Sequence, residues 1–331
     1  MQIYNLNNAF FNKMLFDLIK TPINIYRRII RYYHNYQKKE KIVRYKEGRT
    51  TYYVIRVDFP MASLFAIAKS VLCHIEYALD KGWIPVVDLC NSVNQFKNGK
   101  RSNPWELFFE QPMNKGLEDI TSHDNLVISC KDQSPNEKYR LTVDALLVDH
   151  ETEISAHSVF YNKYIRLSKQ SQDYIDSKYN EIIGQRQHVL GVLCRGTDYL
   201  EKKPVYHPVQ PEPEIVIEKI KELQKTLDID YIYLATEDST ILQLFKDEFV
   251  NKLLYLDQKR LSNTKDAFIS DMDIKLDEKI KMNMDYMASM NILSRCDYLI
   301  GGRTSGTIAA CLMNNKYKYK YLWDLGLYQP N

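Results

Sequence analysis

The segment GVLCRGTDY, residues 191–199, decides how the chain folds. An apolar run from Gly191 to Cys194 gives way at once to Arg195, Gly196, Thr197 and Asp198. A short apolar run closed by a charged, flexible turn reads as a strand of a parallel sheet buried on both faces. In an open α/β sheet the carboxyl ends of the strands face the ligand crevice, so Arg195 stands where a charge meant for a substrate belongs.

The same punctuation recurs on either side. HVLGVLC (188–194), YIYLAT (231–236), LLYL (253–256), DYLIGG (297–302) and YLW (321–323) read as strands. Between them, helices are expected after PVQPEPE (208–214), from Ser239, near 277–295 and from Ser305. Strands alternating with helices predict a doubly wound parallel sheet. Upstream, TYYVIRV (51–57), an apolar helical spacing from Leu64 to Leu79 with Gly82 as C-cap, and a strand from Trp83 to Val87 form a βαβ unit. Asn103-Pro104 reads as an N-cap with proline at the first helical position, LVIS (126–129) as another strand, and 145–185 as a helical connection.

At 331 residues the chain is too long for one ordinary core. Its composition is globular: 45% hydrophobic, 26% charged and 25 tyrosines, with a net charge of +3. The charge is uneven. Residues 1–50 hold eleven Lys/Arg against three acids, a net +8, and the rest carries 34 against 39, a net −5. Helical stripes at Phe11, Met14, Leu15 and Leu18, then at Tyr26, Ile29, Ile30 and Tyr33 beside Arg27, Arg28 and Arg31, suit a helix lying on an anionic membrane surface. They suit equally a helix packed on the body with a solvated basic face. No nucleic-acid motif follows the basic head, so no nucleic-acid partner is expected. Six cysteines without CxxC pairing read as reduced cytosolic thiols, with neither disulfide framework nor zinc site. No apolar run of spanning length and no signal-peptide order is present, which predicts a protein neither exported nor membrane-spanning.

Three turns of the second half fall at strand carboxyl ends: Arg195-Gly196-Thr197-Asp198, Thr236-Glu237-Asp238 and Gly302-Arg303-Thr304-Ser305-Gly306. In a doubly wound sheet they converge on one crevice. The third offers backbone N–H groups at a helix start, which suits a phosphate, and Arg195 can grip a diphosphate bidentately. Glu237 or Asp238 can accept hydrogen bonds from a base or ribose. Each has a plainer use: Arg195 in a salt bridge, Thr304 and Ser305 as N-caps, the acids at a helix N-terminus. Neither GxGxxG nor GxxxxGK[ST] occurs, which argues against dinucleotide oxidoreduction and P-loop hydrolysis.

GVLCRGTDY, the following Tyr206-His207-Pro208, YIYLATEDS and LSRCDYLIGGRTSGTIA resemble the three peptide motifs shared by α1,2-, α1,6- and protein O-fucosyltransferases and the nodulation fucosyltransferases, over roughly residues 188–315. YYVIRVDF, GWIPVVDL and NPWELFFEQP look like bacterial polysaccharide-cluster members of the same superfamily. The resemblance implies a GT-B fold, two Rossmann-like domains facing a cleft, with an N-terminal helical basic extension. The expected division is 1–48 as the basic amphipathic extension, 49–170 as the acceptor-side domain and 171–331 as the nucleotide-sugar domain.

It further implies an inverting, metal-independent enzyme, without cofactor, that moves fucose from GDP-fucose to a glycan or lipid-linked saccharide in bacterial surface-polysaccharide assembly. The expected setting is cytoplasmic, at the inner face of the plasma membrane, with peripheral contact through residues 9–46. By position, Arg195 matches the diphosphate-binding arginine, Asp198 the motif aspartate, Glu237 and Asp238 the acidic pair near the nucleoside, and Thr304 with Ser305 the hydroxyl pair at the phosphates. Gly196, His207, Arg303 and Gly306 complete the expected substrate site. Asp198 and Glu201 are the candidate general bases, with His207, Asp58 and Asp88 behind them. Leu193 stands where core fucosyltransferases have a base-contacting histidine, Gly196 replaces the second arginine of their pair, and Pro60-Met61-Ala62-Ser63 occupies the place of a glycine-and-asparagine loop. Transfer of another nucleotide-linked hexose, or a non-catalytic nucleotide-sugar-binding or scaffold role, are the alternatives.

Overall fold

A computed structural model describes residues 39–60, 62–96, 102–140, 151–260 and 274–329, with the side chains of 151–153, 197, 198 and 201 outside the described set. The amphipathic helices expected before residue 39, and most of the stretch expected to touch a membrane, lie outside the described residues. Among the described residues no helix is long and apolar enough to cross a membrane.

The first half carries strands β1 (Lys41–Arg44) and β2 (Thr51–Ile55), helix α1 (Leu64–Asp80), and strands β3 (Ile84–Val87) and β4 (Asn125–Ile128). The sheet order is β1-β4-β2-β3, with β2 parallel to both β3 and β4, and β1 antiparallel to β4. Ser63 caps α1, its hydroxyl accepting from Ala66 N at 3.4 Å. The helix buries Leu64, Ile67, Ala68, Val71, Ile75 and Ala78 against Tyr53, Ile55 and Val57. It stops where Gly82 N bonds Leu79 O and Trp83 N bonds Ala78 O, a Schellman end.

Strand β1 departs from expectation, because Lys41–Arg44 falls in the stretch read as helical extension. The β-branched pair Ile42 and Val43 fits the free edge of β4, and Arg44 fastens it there through Nε to Asp124 O and Nη2 to Thr121 O, both at 2.6 Å.

Helices α2 (Glu151–Tyr164) and α3 (Lys169–Ile182) lead into the second half. There β5 (Val189–Leu193), α4 (Thr197–Lys202), α5 (Pro213–Leu223), β6 (Tyr231–Ala235), α6 (Ser239–Glu248), β7 (Leu253–Tyr255), α7 (Leu276–Ser294), β8 (Tyr298–Gly302), α8 (Ser305–Met313) and β9 (Tyr319–Trp323) alternate as the sequence predicts. The five strands run parallel in the order β7-β6-β5-β8-β9. Both faces are covered, which is why these strands read as unbroken apolar runs. Leu190, Val192, Ile232 and Leu234 pack on Val216, Ile220, Ile241 and Phe245 of α5 and α6. Leu193, Tyr233 and Leu299, on the other face, pack with Met287, Leu293, Ile308 and Leu312 of α7 and α8. Helix α2 is fastened to α8, Ser158 Oγ donating to Leu312 O at 2.6 Å, and α3 to α7 by Arg295–Asp176 at 2.9 Å.

Candidate active site

Strand β5 is central, and the chain builds outward on one side through β6 and β7, then on the other through β8 and β9. That reversal makes the gap between β5 and β8 the topological switch point, where open α/β sheets bind ligands beyond the strand carboxyl ends. Arg195 follows β5, Glu237 and Asp238 follow β6, and Arg303 to Gly306 follow β8, so the fold brings the three turns to one edge.

Arg195 is held rather than free to sample solvent. Its Nη1 lies 3.3 Å from Glu237 Oε2, both side chains being more than four-fifths buried, and its guanidinium carbon sits 5.0 Å from the centre of the Tyr199 ring. Glu237 Oε1 also accepts from Gly196 N at 2.9 Å, so one carboxylate fixes both the guanidinium and the turn that bears it. Asp238 caps α6, its Oδ1 accepting from Thr240 N at 2.7 Å and Ile241 N at 3.2 Å. The two acids expected near the nucleoside thus serve the turns of the protein itself. Gly196 is wedged against that cap: a Cβ there would lie 2.6 Å from Asp238 Oδ2 and 2.7 Å from Ile241 Cδ1. Asp198 and Glu201 lie on the backbone of α4, and their side chains are outside the described set.

Across the switch point, Thr304 caps α8, its Oγ1 accepting from Thr307 N at 3.2 Å, while Thr307 Oγ1 donates to Gly302 O at 2.5 Å. The first-turn N–H groups of Ser305 and Gly306 have no carbonyl one turn back, and with the helix dipole they present partial positive charge at the switch point. Gly306 lets α7 approach closely, since a Cβ there would lie 2.6 Å from the Tyr286 hydroxyl and 2.7 Å from Met290 Sδ. Arg303 turns aside, pairing with Asp324 at 2.8 Å.

His207 is exposed and connects to the site through Tyr199, whose hydroxyl lies 3.3 Å from its Nδ1. Its loop is pinned to the chain end by Tyr206 N to Tyr328 O and Tyr328 N to His207 O, both 2.9 Å. The first-half carboxylates are spoken for. Asp88 is wholly buried against Arg56 Nε at 2.7 Å and Asn91 Nδ2 at 2.8 Å, and Asp58 accepts from Lys131 at 2.9 Å and Val93 N at 2.8 Å. Ion-paired and hydrogen-bonded in this way, they hold loops of the first half together.

Three residues escaped the sequence reading. Gln210, buried to 3%, donates from Nε2 to Pro208 O at 3.0 Å and Arg303 O at 3.2 Å, and so ties its loop to the α8 turn. Arg260 follows β7, donating from Nη2 to Leu256 O at 2.7 Å; burial lowers its pKa, and it feels the charge of Glu237. The rule that singled out Arg195 also applies to Arg260, which follows a strand. Tyr286, in mid-helix, carries no such signal. For a metal, His188, Asp228 and Asp230 offer ligand atoms within 4.8 Å of one another, but at the amino ends of β5 and β6, across the sheet from the crevice.

No protein-family model and no curated protein matches the chain. In structure it is similar to a mutant of Arabidopsis thaliana FUT1 in complex with GDP, at 10% identity and TM-score 0.50, covering 90% of this chain and 76% of that one. It is similar also to POFUT1 in its apo-form, at 9% identity and TM-score 0.50, covering 86% of this chain and 100% of that one. NodZ α-1,6-fucosyltransferase soaked with GDP-fucose aligns at 15% identity and TM-score 0.46, over 80% of this chain and 93% of that one. The fold is therefore the fucosyltransferase-like GT-B arrangement of two α/β units, as the motifs led one to expect.

Proposed function

We propose that the protein is an inverting glycosyltransferase that moves fucose from GDP-fucose to a glycan acceptor without a metal. The observation that carries this reading is the placement of Arg195, braced by Glu237, opposite the open first turn of α8 at the switch point of the second sheet. Departing GDP leaves negative charge on its diphosphate. Arg195 and the amides of Ser305 and Gly306 would meet that charge, an electrostatic role worth several kcal/mol of barrier. The acceptor oxygen bonds to the anomeric carbon from the face opposite the departing phosphate oxygen, and its proton passes to Asp198 or Glu201. The fold shared with FUT1, whose structure holds GDP, supports a nucleoside diphosphate as the leaving group.

In this reading residues 171–331 hold the donor and residues 49–170 face the acceptor. The setting is surface-polysaccharide assembly, with residues 9–46 holding the enzyme near lipid-linked saccharides. A second reading, transfer of another nucleotide-linked hexose, draws on Leu193, which is 3% exposed and offers no polar group to a base. Proton NMR of GDP-fucose turnover tests the proposal: GDP release in EDTA with a β-linked product from the β-linked donor would contradict inversion, and turnover of UDP-sugars instead would discard fucose.

A further inference from the structure

We infer that Tyr286 contacts the donor, its hydroxyl donating a hydrogen bond to the diphosphate seated on the first turn of α8. The inference rests on the nucleotide reading above. Tyr286 lies in the middle of α7, and its ring packs edge-on against Phe65 of α1, with centroids 5.2 Å apart and planes at 69°. A side chain from the first half thus fixes the direction of the phenol. The hydroxyl reaches the space beside Gly306, where a Cβ would come within 2.6 Å of it. That places it next to the two backbone N–H groups that α8 leaves unspent.

Other tyrosine hydroxyls of the fold are spent on protein partners, Tyr233 on Ser289 at 3.0 Å, Tyr53 on His74 at 3.1 Å and Tyr317 on Leu293 O at 3.3 Å. Among the described residues no group hydrogen-bonds the Tyr286 hydroxyl. Burial raises its pKa, with Arg195 opposing and Tyr199 and Glu237 adding to the rise, so the group stays protonated and acts as a donor at neutral pH. A diphosphate at the switch point would have Arg195 on the β5 side, the Ser305 and Gly306 amides at its base and Tyr286 on the α7 side.

GDP titration calorimetry on the full chain tests this with wild type, Tyr286→Phe and Phe65→Leu. Tyr286→Phe keeps the ring and its contact with Phe65. It is expected to weaken GDP about tenfold or more, the loss typical of a hydrogen bond to a charged group, with the melting point of the unliganded protein unchanged. Phe65→Leu, which loosens the ring but leaves the hydroxyl, is expected to weaken GDP less. GDP affinity within about twofold of wild type in Tyr286→Phe would overturn the inference while leaving the nucleotide reading standing. A larger loss in Phe65→Leu than in Tyr286→Phe would also overturn it, by making the ring's packing the source. Wild type that does not bind GDP would remove the nucleotide reading and this contact with it.

Discussion

Replacing Gly196 by alanine places one methyl group at the tightest point of the candidate site. The new Cβ would meet Asp238 Oδ2 at 2.6 Å, Ile241 Cδ1 at 2.7 Å and Asp238 Cβ at 2.8 Å. Rotating a carboxylate tip relieves only the first of these, so the start of α6 must shift. Overpacking of this kind costs about 1–3 kcal/mol, and a weakened Asp238 cap adds about 1 kcal/mol. For a unit of this size that is a fall of roughly 4 °C or more in melting temperature. The same shift carries Glu237 away from Arg195, so GDP affinity should fall with stability. Thermal denaturation with and without GDP reads both, and Ile241→Val, which removes the clashing Cδ1, should restore part of the loss in the double variant because the two sites touch. A Gly196→Ala protein that melts and binds GDP like wild type would refute the packing argument.

Arg56→Ala should destabilise the first half by about 3 kcal/mol, because it strands the wholly buried Asp88 carboxylate; denaturant unfolding of the variant against Arg56→Lys checks it. His74, wholly enclosed between the Tyr53 hydroxyl and Asp132 O, has its pKa pushed down by burial to about 4. The unfolded chain therefore takes up a proton that the native state refuses, so stability is full above about pH 6.5 and falls by up to about 1.4 kcal/mol per pH unit between there and pH 4; His74→Gln should flatten that slope in unfolding experiments across the range. Gln210→Leu keeps the buried volume but loses both hydrogen bonds from Nε2, and should weaken GDP several-fold by freeing the Arg303 carbonyl, as calorimetry against wild type would show.

Much of this was written in local sequence. Strands buried on both faces have to be apolar runs, so GVLC, YIYLA and YLIGG announced themselves, and the polar turn after each marked the crevice. The N-caps at Asn103, Asp238 and Thr304 were legible because capping is a contact within three residues. Long-range partnership was not. Asp88 reads as a free carboxylate until Arg56, just past the end of β2, is seen to pair with it, and Asp58 until Lys131 closes on it. KIVR at the edge of the first sheet was hidden by its basic neighbours: a short edge strand exposed on both faces buries no apolar row and so carries no apolar period. Tyr286 was unreadable for another reason, since one tyrosine among the buried positions of a mixed helix looks the same whether its hydroxyl meets protein or ligand.

The central claim is that Arg195 and the start of α8 receive a nucleoside diphosphate. Calorimetric titration of wild type and Arg195→Ala with GDP tests it most directly. The account predicts that wild type binds and that Arg195→Ala loses about ten- to a hundredfold in affinity, the worth of a charge-assisted contact. Equal GDP affinity in the two proteins would contradict it.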